Sequence, residues 1–144
     1  MKQFKITFFL IITCIMLCAC PNREKGHYYI TIVNRSDKDI VYQCLINWTD
    51  PFFYCSNTGI TVPITIRADS LNMFKADTWS SGWETSLNDG QTMNILVADA
   101  EKYSQYWRDP CDTIHKYVPI LYRYQLKLED LERMNWTVVY PPEE

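Results

Sequence analysis

Residues 27–46 read HYYITIV, then NRSDKD, then IVYQCLI, and this stretch decides the fold class. The two flanking runs are rich in β-branched and aromatic residues, which favour strands. The six residues between them favour a turn, because Asn, Asp and Ser side chains hydrogen-bond to the nearby backbone. The pattern predicts an antiparallel hairpin that pairs residues 27–33 with residues 40–46.

Further strand and helix signals follow along the chain. Thr61–Arg67, Thr92–Ala98, Pro119–Leu128 and Trp136–Tyr140 are predicted strands, and Ala100–Trp107, Asp112–Tyr117 and Glu129–Met134 are predicted helical segments. Asp99 is expected to cap the first helix. Pro63 predicts an edge strand, because proline cannot donate to a β-ladder. The alternation after Pro119 places Ile120, Tyr122, Tyr124, Leu126 and Leu128 on one face. Leu131 and Trp136 are expected in the core.

Strands that follow strands without long crossover helices favour antiparallel pairing. The predicted fold class is therefore mainly β: an antiparallel β-sandwich with one or two short helical insertions, for which an immunoglobulin-like outline is one candidate form. An α+β domain is the alternative if residues 99–117 are more helical than these short insertions. Residues 27–144 are expected to form a single globular domain, a length that buries a core without added crosslinks.

Residues 1–19 have the parts of a secretory signal, because two lysines precede an apolar run that leads to small residues and a cysteine. The ending Leu17-Cys18-Ala19-Cys20 resembles the lipobox of bacterial lipoproteins. The resemblance implies removal of the signal before Cys20, a diacylglycerol on its thiol, and a polar tether over residues 20–26. The alternatives are a plain cleaved signal and a retained transmembrane anchor, although an anchor needs about 20 apolar residues.

The charge of the mature chain bounds its partners. Removal of the signal leaves 12 basic against 17 acidic residues, a net charge of −5 at neutral pH. This acidic balance gives no electrostatic basis for binding nucleic acid. The expected partners are the membrane, through the lipid on Cys20, and an envelope protein or a glycan.

Several segments resemble small uncharacterised lipoproteins of gut Bacteroidetes. They are RYQLKLEDL at 123–131, NWTVVYPP at 135–142 and NRSDKDI at 34–40, together with Trp83-Glu84 and Asp99-Ala100. The likeness covers most of residues 28–142 and implies an envelope lipoprotein without naming an activity. Surface lipoproteins of this phylum carry an acidic run after the lipidated cysteine. Because none follows Cys20, the periplasmic face of the outer membrane is expected rather than the cell surface.

Three cysteines remain in the mature domain: Cys44, Cys55 and Cys111. An oxidising compartment permits disulfides, but three thiols cannot all pair within one chain. Cys44 and Cys55 flank an Asp50-Pro51 turn, so a bridge between them is one expectation. The alternative is that some of the three are free, buried and act as small apolar residues.

Few residues point to chemistry. Cys111 and His115 are four apart and would share one face of a helix, but two ligands do not make a zinc site, so no metal and no cofactor are expected. No nucleophile elbow, Ser-x-x-Lys, His-Glu-x-x-His or phosphate-binding glycine loop occurs in the sequence. The expected function is therefore a non-enzymatic, lipid-anchored envelope protein with a structural or accessory role.

A glycan- or peptide-binding module is the alternative function. Trp48, Trp79, Trp83 and Trp107 lie in predicted loops or insertions, where exposed rings could stack on a ligand. Burial in the core is the competing interpretation for each ring. The two interpretations differ in whether Trp79 and Trp83 are exposed together.

Two short motifs suggest modification. Asp69-Ser70-Leu71 and Asp112-Thr113-Ile114 resemble the acceptor motif for O-glycans in Bacteroidetes, which makes Ser70 and Thr113 candidate acceptors.

Overall fold

The strands on either side of the Asn34–Asp39 turn both form, but they do not pair with each other. Strand β1 (Tyr29–Asn34) lies in one sheet and strand β2 (Ile40–Ile46) lies in the other. The predicted hairpin is therefore wrong, because the turn carries the chain from one layer of a sandwich to the next. A computed structural model describes residues 26–55, 63–75, 82–88 and 90–142.

Two sheets are present in these residues. Sheet A has the order β4 (Ser70–Lys75), β1 and β7 (Thr137–Tyr140), and sheet B has the order β3 (Ile64–Ile66), β2, β5 (Met93–Asp99) and β6 (Ile120–Leu126). Neighbouring strands are antiparallel except β1 and β7, which are parallel. Both edges of β1 and of β2 are occupied within their own sheets, so neither can pair with the other. The arrangement confirms a mainly β, sandwich-like fold, with β3 at the predicted edge.

Short helices lie between the strands along the chain. They are α1 (Trp83–Ser86), α2 (Ala100–Tyr106), α3 (Cys111–Tyr117) and α4 (Leu128–Arg133). The predicted cap is confirmed, because the Asp99 carboxylate accepts a hydrogen bond of 2.9 Å from the backbone N–H of Lys102. Leu131 and Trp136 are buried as predicted, whereas α1 was not expected. None of the helices in the described part of the chain has the length and apolar character needed to cross a bilayer.

Apolar layers cover both faces of sheet B. The layer between the sheets includes Ile30, Ile32, Tyr42, Cys44, Ile95 and Val138. The outer layer brings Val41, Leu45, Leu96 and Ala98 of sheet B against Phe53, Ile114 and Val118. Strands β2 and β5 are therefore buried on both faces, which explains why their sequences are almost continuously apolar rather than alternating.

Strand β4 was not predicted, because its apolar side chains do not all face the core. Leu71 and Met73 lie on the outer face of sheet A with 57% and 61% of their surface exposed. Phe74 points the other way and packs against the core. Because the exposed face of β4 also carries apolar residues, its sequence lacks the polar–apolar alternation from which a half-buried strand is predicted.

A β-bulge changes the face on which Ile120 lies. Val97 of β5 pairs with Tyr122, but the next residue, Ala98, pairs with Ile120, so Leu121 is an extra residue. Tyr124 packs into the layer between the sheets, whereas Ile120 packs into the outer layer. The predicted single face is therefore wrong at Ile120, because one extra residue inverts the side-chain alternation.

The buried side chain of Asn34 fastens the corner where the chain passes between sheets. Its Nδ2 donates to the carbonyl oxygens of Lys38 at 2.7 Å and Arg67 at 3.0 Å. Its Oδ1 accepts from the backbone N–H and the hydroxyl of Ser36, at 3.0 and 2.7 Å. The β1–β2 and β3–β4 connections are thereby held together by one amide that has no exposed surface.

We expect Asn34→Ala to lower the free energy of unfolding by about 3 kcal/mol. The substitution leaves carbonyl and N–H groups of both connections without their partner, and each buried unsatisfied group costs about 1–3 kcal/mol. Urea unfolding of the purified mature protein measures the loss. The exposed Asn88→Ala is the matched control and should change stability by less than about 0.5 kcal/mol. Equal losses in the two variants would contradict the role assigned to Asn34.

The first described residues are clamped to α1. The backbone N–H of His27 donates to both carboxylate oxygens of Glu84 at 3.0 and 2.9 Å, and His27 Nδ1 lies 2.7 Å from Glu84 Oε1. The His27 ring stacks on Trp136 with the ring centroids 4.2 Å apart. A Cβ atom at Gly82 would lie 2.6 Å from the His27 carbonyl oxygen, so the close approach requires glycine there. These contacts fix the point at which the N-terminal segment leaves the sandwich.

We expect the contribution of Glu84 to stability to depend on pH. Burial acts to raise the pKa of Glu84, but hydrogen bonds from the side chain and backbone of His27 outweigh it, and the net pKa is lowered. A lowered pKa in the folded state means that the stabilisation is present above the ordinary glutamate range and is lost as the pH falls through the lowered value. Glu84→Gln should therefore cost about 1 kcal/mol at neutral pH, an amount reduced by partial solvent exposure.

Urea unfolding of wild type and Glu84→Gln from neutral to acid pH measures the difference in their free energies of unfolding. This difference should disappear in acid. The exposed Glu132→Gln provides the matched control, for which we expect no such closing difference. A gap between wild type and Glu84→Gln that stayed constant with pH would rule out the clamp as its source.

Candidate functional site

Trp83 is buried, so it cannot form the exposed pair with Trp79 that distinguishes the binding-module alternative. Trp83 is 3% exposed and stacks on Phe74 with the ring centroids 5.6 Å apart. Trp48 is half-buried, and its Nε1 donates to the carbonyl of Phe52 at 3.0 Å. Trp107 is 52% exposed, whereas Trp79 lies outside the described residues. For Trp83 the structure thus favours the competing interpretation, burial in the core, because α1 turns this ring inward.

Acrylamide quenching of Trp→Phe variants checks these placements. We expect Trp107→Phe to remove strongly quenched fluorescence, because more than half of this side chain is in contact with solvent. Trp83→Phe should instead remove fluorescence that is shielded from acrylamide. The remaining tryptophans should then be quenched more strongly on average than those of the wild type. The reverse order of the two variants would contradict the placement of both rings.

The candidate modification sites differ in position and exposure. Ser70 is exposed at the first residue of β4, and Thr113 is half-buried within α3. Cys20 lies outside the described residues, so its acylation stays a prediction.

The structure separates the two cysteines for which a bridge was predicted. Cys44 is a free thiol in the layer between the sheets, whereas Cys55 packs against the outer layer on the opposite side of sheet B. The bridge between Cys44 and Cys55 is not formed, since the two side chains are on opposite faces of the sheet. Burial raises the pKa of the Cys44 thiol well above its ordinary value, which keeps it protonated and apolar.

Cys55 instead meets Cys111 and His115, and we call these three residues the thiol–imidazole cluster. Their Sγ and ring nitrogen atoms all lie within 4.8 Å of one another. Cys55 Sγ is 3.4 Å from His115 Nε2, and that nitrogen is 3.0 Å from the carbonyl oxygen of Phe53. The Cys111 thiol donates to the Cys55 carbonyl at 3.4 Å. The predicted helical face that joins Cys111 to His115 is present in α3.

The loop that delivers Cys55 is fastened to sheet B by a buried glutamine. Gln43 Nε2 donates to the carbonyl of Tyr54 at 3.0 Å, and its Oε1 accepts from the Tyr54 N–H at 2.7 Å. The side chain of Phe53 is buried in the outer layer. Phe52 stacks on the ring of His115 with the centroids 4.5 Å apart. Backbone and side-chain contacts thus fix both the Cys55 thiol and the imidazole.

The electrostatic surroundings of the cluster disfavour a thiolate. Burial, the neighbouring Cys111 and the carboxylates of Asp112 and Asp50 raise the pKa of Cys55 to about 12. Reactive cysteines require the opposite, an electropositive site that lowers the thiol pKa. Burial and the neighbouring carboxylates therefore disfavour a thiolate at Cys55, although its thiol is in contact with the imidazole of His115.

Reasoning from the sequence identified two members of this cluster and missed the third. The spacing of Cys111 and His115 indicates a shared helical face, but Cys55 precedes Cys111 by 56 residues and lies in a loop. Its position depends on the bonds of Tyr54 to Gln43, which no local pattern reports. The signal available in the sequence was that Cys55 is a third potential sulfur ligand in the same domain as Cys111 and His115.

A concave region lies beside the β1–β2 connection and the start of α2. This open depression of about 510 Å³ is lined by Lys38, Asp39, Thr65, Asp99, Ala100, Glu101 and Ser104. The Asp39 and Asp99 carboxylates are engaged with the backbone, accepting from Ala68 and Lys102 respectively at 2.9 Å. These two side chains therefore have structural roles at this corner.

No protein-family model, curated protein or solved structure matches this chain.

Proposed function

We propose that the protein is a non-enzymatic, lipid-anchored component of the cell envelope, held to the outer membrane by acyl chains on Cys20. The observation that carries the proposal is the ending Leu17-Cys18-Ala19-Cys20 after a basic and apolar signal segment. Each acyl chain contributes about 0.8 kcal/mol per buried CH₂, and stable anchoring takes two such signals. Two or three chains on one cysteine would satisfy that requirement without a membrane-binding surface on the domain.

The clamp at His27 supports a short link between membrane and domain. Five residues lie between Cys20 and Gly26, and the six Cα-to-Cα steps from one to the other span at most about 22 Å when fully extended. His27 is bound to Glu84 and stacked on Trp136, so the sandwich begins at the end of that short link. An acylated Cys20 would therefore hold the domain close to the bilayer surface. A structural or accessory role beside the membrane fits this geometry.

The periplasmic face of the outer membrane is the favoured location. Residues 21–26 read PNREKG and contain one acidic residue. An acidic run of the kind found on surface lipoproteins of the resembling group is absent from this sequence.

Metabolic labelling with an alkyne-bearing fatty acid tests the anchor. We expect label on the wild-type chain and its loss in Cys20→Ala, together with accumulation of the unprocessed precursor. Cys18→Ala is the matched control, because it removes a cysteine two residues away and keeps a small residue in the motif. Unlabelled wild-type protein in the soluble fraction, or label that persists in Cys20→Ala, would refute the proposal.

A further inference from the structure

We propose that Cys55, Cys111 and His115 bind a thiophilic metal ion of the Zn²⁺ type. This inference concerns a site that the envelope role does not assign, and it does not depend on the lipid anchor. Two sulfur donors and one imidazole nitrogen form a donor set that suits zinc and related ions.

The spacing of the donor atoms fits a tetrahedral ion. Zn–S bonds of about 2.3 Å and Zn–N bonds of about 2.0 Å place sulfur and nitrogen roughly 3.5 Å apart around a tetrahedral centre. Cys55 Sγ and His115 Nε2 are 3.4 Å apart. Cys111 Sγ lies within 4.8 Å of both atoms, so a small side-chain rotation would complete the set.

A fourth position is bordered by a backbone oxygen. The Phe53 carbonyl lies 3.0 Å from His115 Nε2 and 3.5 Å from Cys55 Sγ. A metal would replace the present contact between the imidazole and this carbonyl, with the ring proton on Nδ1. Three protein ligands and one position open to the carbonyl or to water is a recurrent zinc arrangement.

The potential and the rigidity of the site favour a cation. Asp50 and Asp112 are close enough to act on Cys55 electrostatically, and their negative charge would stabilise a bound metal. Phe52 fixes the imidazole plane by stacking, and Gln43 fixes the loop that carries Cys55. Binding would transfer the two thiol protons to solvent, because the ligands of the metal are thiolates.

A disulfide between Cys55 and Cys111 is the competing use of the two thiols. It would give no role to the His115 nitrogen, which converges on the same point, or to the adjacent carbonyl and carboxylates. The three cysteines of the described residues are free thiols in the structure. The metal accounts for the sulfur, nitrogen and acidic groups together, and is therefore the proposal that these contacts favour.

Cobalt(II) substitution tests the site directly. The mature full chain is purified in detergent, reduced, freed of metal and titrated with Co²⁺. We expect one ion per chain, with a thiolate-to-cobalt charge-transfer band and the intense visible bands of tetrahedral coordination. Added Zn²⁺ should displace cobalt and bleach both features, since it forms the more stable tetrahedral site.

Single variants assign the ligands. We expect Cys55→Ser, Cys111→Ser and His115→Gln each to weaken Co²⁺ binding by more than about 100-fold, the upper range for loss of an outer-shell partner. His115→Gln should keep charge transfer at high cobalt, because both thiolates remain. Cys44→Ala and His27→Gln are the matched controls and should bind as wild type does. Circular dichroism confirms that each variant is folded, and His115→Gln provides the test if a cysteine variant is not.

Three results would overturn the proposal. The first is reduced wild-type protein that shows no thiolate-to-cobalt band. The second is Cys55→Ser or Cys111→Ser protein that is folded and binds as tightly as wild type. The third is a Cys55–Cys111 disulfide in protein alkylated at harvest from cells, which would assign the two thiols to a crosslink. None of these results bears on acylation of Cys20.

Discussion

The side-chain amide of Asn34 is the constraint on which the rest of the sandwich depends. Asn34 pairs with Ser70 in sheet A, and Ile40 pairs with Ile66 in sheet B, so two connections cross between the layers at one corner. The Asn34 amide is fully buried. Its NH₂ group donates to the Lys38 carbonyl in the β1–β2 connection and to the Arg67 carbonyl in the β3–β4 connection. An apolar residue there would bury unpaired backbone groups, so the corner requires a short side chain with both a donor and an acceptor.

Buried polar side chains, more than the apolar core, also place the thiol–imidazole cluster. Gln43 is a polar residue on the otherwise apolar outer face of β2. Its side-chain amide bonds to both the N–H and the carbonyl of Tyr54, as the backbone of a neighbouring strand would. Arg123 donates to the carbonyl of Trp48 at 2.6 Å and to Asn94 Oδ1 at 3.0 Å, which fixes the start of the same loop. Such hydrogen-bonded polar groups specify one loop position, whereas apolar packing alone tolerates several.

Local patterns predicted every strand of the described residues except β4, and where α2 begins, but not which strands are neighbours. The composition of Asn34–Asp39 suits a hairpin turn and a crossing between sheets equally well. The difference is a hydrogen bond to Arg67, 33 residues away. The same limit applies to Cys55, which reaches α3 only because of Gln43, and to Ile120, whose face is reversed by a bulge against Val97. Periodicity predicts the helix or strand to which a residue belongs, but it does not predict contacts between distant parts of the chain.

The parallel pairing of β1 with β7 joins the first and the last strand of the described residues. Because β1 is synthesised long before residues 137–140, sheet A cannot close until those residues are available. Pairings across so many residues also form slowly. A chain cut short before Thr137 would leave the central strand of that sheet as an unpaired edge, open to other chains.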